Sequence, residues 1–75
     1  MTFDELYASK SSVSLAGSEV VGLYVALLRN EEDLDLNQRT ALERLRSILY
    51  GSLSVEDLEE LQGMYASRLS GGASR

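Results

Sequence analysis

The segment Ser18-Glu19-Val20-Val21-Gly22-Leu23-Tyr24-Val25-Ala26-Leu27-Leu28-Arg29-Asn30 decides the fold. Read as a helix, it is apolar nearly all round from Val20 to Leu28, the pattern of an element buried on most sides. Read as a strand, its three valines and Gly22 leave that alternative open, since β-branched residues suit a pleated surface. Helix is the preferred reading because no second strand is available to pair with it. Ser18 suits the N-cap, Glu19 the positive end of the helix dipole, Arg29 its negative end and Asn30 the residue just beyond. The apolar run is nine residues long. A membrane-spanning helix needs about 20.

Three further helical patterns surround this segment. Thr2 to Lys10 begins with a capping-box spacing, Thr2-x-x-Glu5, and places Phe3, Leu6 and Tyr7 on one face. A helix this short is marginal alone, so that face is expected to dock. The Ser-rich stretch from Ser11 to Gly17 reads as a connector. After an acidic turn, Glu31 to Asp35, a third helix runs from Leu36 to Tyr50. Asp35 and Gln38 form its capping box, and Ala41, Leu42, Leu45, Ile48 and Leu49 its stripe. Gly51 is the expected left-handed terminator.

The fourth helix is expected from Val55 to about Ser70. Ser54 is its N-cap, and Leu53 with Leu58 has the spacing of a hydrophobic staple. Its stripe is Leu58, Leu61, Tyr65 and Leu69. Gly63 costs about 1 kcal/mol relative to Ala in mid-helix, which a close helix crossing would explain. Gly71 and Gly72 are expected to end the helix, with a disordered tail over residues 71–75 after a single helical domain over 1–70. The short connection between the third and fourth helices favours an antiparallel pair. The fold class is therefore all-α: a small three- to four-helix bundle with a C-terminal antiparallel helical hairpin. The echo between Tyr7-Ala8-Ser9-Lys10 and Tyr65-Ala66-Ser67-Arg68 is too short to be a repeat.

Composition agrees with helices and limits how they are stabilised. Leu outnumbers Val and Ile together by 14 to 6, and Pro is absent, which favours helix over strand. The chain has 75 residues and neither Cys nor His, so no disulfide, thiolate zinc site or imidazole ligand is available. Below about 70–80 residues a single core rarely contributes more than about 3–5 kcal/mol. Helix packing, self-association or a protein partner must supply the rest. The net charge of −5 disfavours non-specific binding to nucleic acid or anionic lipid. With no basic or apolar leader in the first residues, the reading is cytoplasmic.

Sites with chemistry are scarce. Asp33, Asp35 and Asn37 resemble the start of a calcium loop, but Gln38 replaces the required Gly and Arg44 the bidentate Glu. Glu56, Asp57, Glu59 and Glu60 sit at a helix start, where the dipole favours the ionised form over a raised pKa. Serines abound without His or Cys as a base, and the single lysine, Lys10, is flanked by the serines at the start of the connector. Arg39, Arg44 and Arg46 give the third helix a local positive charge, which Glu43, Glu59 or Glu60 would neutralise. Reading DNA with the fourth helix would drive four carboxylates toward phosphates, and reading with the third would bring the acidic turn instead.

Counting faces gives the functional expectation. Three single stripes only partly wrap a second helix that is apolar nearly all round. The remainder is expected to meet a second subunit, as a homodimer, or another protein, through Tyr24, Leu27 and Leu28 and then Leu61, Tyr65 and Leu69. The aromatic set, Phe3, Tyr7, Tyr24, Tyr50 and Tyr65, fits such a rim. The expected function is a non-enzymatic helical interaction module, such as a small regulator, adaptor or chaperone-like subunit. No cofactor, metal or small-molecule substrate is expected, and no membrane. The alternatives are a DNA-binding transcriptional regulator and an accessory subunit of an enzyme.

Overall fold

A computed structural model describes the backbone of residues 1–73 and side chains as far as residue 70. The protein is all-α, with no strand among the described residues: α1 (Phe3–Ala8), α2 (Gly17–Arg29), α3 (Leu36–Ser52), α4 (Val55–Glu59) and α5 (Leu61–Ala73). The deciding segment is helix. A 3₁₀ turn, Glu31–Asp33, joins α2 to α3.

The starts of α1, α3 and α4 follow the side-chain chemistry. Thr2 Oγ1 accepts from the Glu5 amide at 3.2 Å while Glu5 Oε1 accepts from the Thr2 amide at 2.8 Å. Asp35 and Gln38 make the same reciprocal pair at 2.8 and 3.0 Å. Ser54 Oγ accepts from the Asp57 amide at 3.1 Å. Each bond satisfies one of the orphan amides of a first helical turn. The start of α2 differs from expectation, because its N-cap is Ala16 and not Ser18. The Glu19 carboxylate reaches back to the Ala16 amide at 2.7 Å, so the helix begins two residues earlier without a side-chain cap at its first position. At the other end Asn30 stands just past the helix, with Nδ2 donating to the Ala26 carbonyl at 2.9 Å.

Gly51 does not terminate α3. The helix runs through it to Ser52, and no described glycine has a positive φ. Instead the extended Leu53 ends the helix and donates its amide to Leu49 O at 2.9 Å, while Ser52 Oγ bonds Ile48 O. The helix thus ends at Leu53 without a left-handed residue.

The expected fourth helix is two helices. At Glu60 the backbone turns to φ −101° and ψ 5°, and its amide is shared between the carbonyls of Glu56 and Leu58. The break lets α4 pack against α3 while α5 lies back on α2. α5 continues through Gly71 and Gly72 to Ala73, past the expected glycine stop, and residues 74–75 of the expected tail lie outside the described residues.

The most extensive contact is between α2 and α3. Val25 and Leu42, 1% and 0% exposed, form the centre of the core, with Tyr24, Leu45, Leu49 and Leu61 around them. Val20, Val21, Leu27, Leu28, Leu34, Leu53, Leu58 and Tyr65 pack on this cluster, half-buried. The Leu53–Leu58 staple pair is thus anchored in the core. The stripe of α3 is narrower than its pattern suggested, because Ala41 and Ile48 are exposed. α1 does not dock: none of its residues is buried. Phe3 and Tyr7 pair with each other at 5.7 Å, and the Tyr7 hydroxyl accepts from Asn37 Nδ2 at 2.7 Å. The start of α3 offers it a polar side chain, so the contact is a hydrogen bond with no burial.

Candidate interaction surface

An apolar groove of about 530 Å³ opens between the start of α2 and the length of α5. Its floor is Leu61, Val21 and Leu53, and its wall is Tyr65 with Met64 and Leu69. Asp57 and Arg68 stand among these residues as an acid and a base. Helical spacing explains the α5 side of the groove: Leu61, Tyr65 and Leu69 recur every four residues on one face of α5. The floor exists because the Glu60 break brings that face onto α2.

Gly22 makes room for the tip of the Tyr65 side chain. A Cβ there would lie 2.6 Å from the Tyr65 hydroxyl oxygen, whereas a Cβ at Gly63 would meet nothing within 4 Å. The close crossing expected at Gly63 is therefore not found there.

The six residues singled out from the sequence divide between core and surface. Tyr24 and Leu61 are buried in the chain's own core. Leu27 and Leu28 are half-buried against it, away from the groove. Tyr65 is half-buried in the groove wall, and Leu69 is 55% exposed at its rim. Leu61, Tyr65 and Leu69 are thus brought together, and Tyr24, Leu27 and Leu28 are not part of that surface. Sequence reasoning missed Val21, Leu53, Met64, Asp57 and Arg68. Met64 lies beside Tyr65 in the sequence, but the contributions of Val21 and Leu53 depend on a crossing that no local pattern encodes.

Two of the three arginines of α3, Arg39 and Arg46, are engaged within the molecule. Arg39 donates to the carbonyls of Glu31 and Leu34 at 3.2 and 3.4 Å, which ties the 3₁₀ turn to the helix. Arg46 pairs with Glu43 at 2.7 Å and with Glu31 at 3.8 Å. Its guanidinium is held above its ordinary pKa chiefly by the Tyr24 hydroxyl, against some desolvation and with help from the Glu43 charge. Glu43 is the partner anticipated for this helix, Glu31 was not, and Glu59 and Glu60 take no part. Arg44 makes no ion pair among the described residues.

Among the described residues no polar side chain is buried, no three Asp or Glu converge as a cation site, and no helix is long and apolar enough to cross a membrane. What fold and surface define is a small all-α protein with an open apolar groove. Comparison with known protein families, curated proteins and solved structures finds no match to the chain.

Proposed function

We propose that the chain is a non-enzymatic helical interaction module that completes its core by docking with polypeptide. The observation that carries this reading is a mismatch between mass and surface. A compact folded monomer of 8.2 kDa exposes about 4,500 Å², whereas this chain exposes 6060 Å². Its radius of gyration is 14.7 Å, against about 11 Å for a compact chain of this length. Leu23, Ile48 and Leu69 remain about half exposed beside the core. Apolar surface left in water contributes nothing to stability, and a chain this small has little stability in reserve. Docking of a polypeptide on that surface recovers the missing burial, in keeping with a regulator, adaptor or chaperone-like subunit.

The test is small-angle scattering combined with binding of an apolar fluorescent dye. The reading expects either a particle heavier than one chain, or a monomer whose radius of gyration stays well above the compact value and which binds dye. A compact monomer that binds no dye would sink it.

A further inference from the structure

We infer that the α2–α5 groove is one half of a two-fold interface, and that its occupant is a second copy of this chain. The inference rests on the interaction reading above and names the partner.

Two observations support a second copy. The first is charge. The chain carries a net −5, yet the groove contains one acid, Asp57, and one base, Arg68. A neutral patch on an acidic protein escapes the repulsion that two such chains otherwise feel. A two-fold interface places the same patch on both subunits, so residue i meets residue j and residue j meets residue i. One acid and one base on the patch satisfy that condition, since Asp57 of each copy can face Arg68 of the other. Asp57 is on α4 and Arg68 on α5, on opposite sides of the Glu60 break.

The second observation is the rim of the groove. Leu69, 55% exposed, and Met64, 39% exposed, are the groove's apolar residues with most left to bury, and a two-fold interface lays them against their own copies. Tyr65 is a half-buried aromatic between them, of the type enriched at interface centres.

The experiment is sedimentation equilibrium on the full chain and three variants, with helicity checked by circular dichroism. The native chain is expected to be a dimer. Leu69→Asp, at an exposed position that the fold does not need, is expected to weaken dimerisation about tenfold or more. Asp57→Arg is expected to weaken it as well, and the reversed pair Asp57→Arg with Arg68→Asp to restore much of the loss. Three results overturn the inference: a native monomer at millimolar concentration, a dimer indifferent to Leu69→Asp, or a reversed pair no better than Asp57→Arg alone. A millimolar monomer that still binds the apolar dye rejects the second copy while the interaction reading survives. A compact monomer that binds none rejects both.

Discussion

The Tyr65 hydroxyl occupies the space into which a side chain at Gly22 would grow, 2.6 Å from the would-be Cβ. This sets two effects against each other. Alanine stabilises a helix interior by about 1 kcal/mol over glycine. Here the added methyl must push Tyr65 off α2. Gly22→Ala alone is expected to leave the thermal midpoint unchanged or lower it. In a Tyr65→Phe background the nearest obstruction is the ring carbon Cζ, 3.3 Å from the would-be Cβ, and the same substitution is expected to be more favourable than in the native chain by up to about 1 kcal/mol. A double-mutant cycle reads the coupling, and strict additivity would refute the steric account.

Leu42 is 0% exposed and Leu36, on the same helix, is 79% exposed. Leu42→Ala removes buried methyl groups and leaves a cavity, at a cost of about 2–5 kcal/mol. That is comparable with the whole net stability of a domain this small. The variant is expected to be largely unfolded by circular dichroism in the absence of denaturant. Leu36→Ala is expected to change urea stability by no more than about 0.5 kcal/mol.

The Glu5 carboxyl is held below the ordinary glutamate pKa, chiefly because it accepts the Thr2 backbone amide and then because of the Thr2 hydroxyl. A lowered folded-state pKa means the bond is fully present above the ordinary glutamate range. It is lost as pH falls through the lowered value. NMR titration is expected to show the Glu5 side chain and the Thr2 amide moving together below that range, with α1 fraying. Because α1 buries nothing, global unfolding measured by tyrosine fluorescence should not follow this transition.

Arg39 holds the Glu31–Asp33 turn through two backbone carbonyls. Arg39→Ala is expected to cost about 1 kcal/mol and to speed hydrogen exchange at the Asp33 and Leu34 amides, which bond Asn30 O and Glu31 O. Arg44→Ala is the control, with a change within about 0.5 kcal/mol. Equal effects from the two arginines would remove the structural role given to Arg39.

The features legible in the sequence are those whose partners lie within one helical turn. Thr2 with Glu5, Asp35 with Gln38, and Ser54 with Asp57 are three apart and bond as their spacing implies. The helical state of Val20–Leu28 was legible for a different reason, the absence of a second strand. What was hidden depends on neighbours distant in the chain. Nothing near Gly22 announces Tyr65, 43 positions later. The patterns of Tyr24 and Leu61 mark them as apolar without saying whether this chain or another covers them, and the fold covers both itself. Gly51 has the composition of a helix stop, but Leu53 supplies the terminating amide bond instead. The charges of the groove were read one helix at a time, so their place in one lining on either side of the Glu60 break went unseen.

The break also fixes a rotational phase. An α-helix advances about 100° per residue. One residue inserted at Glu60 would spin α5 by more than a quarter of a revolution while leaving its helicity intact. Leu61, Tyr65 and Leu69 would swing off α2 together and bring Met64 and Arg68 round in their place. The angular setting at that single position, and not the greasiness of α5, is what makes a groove out of a stripe.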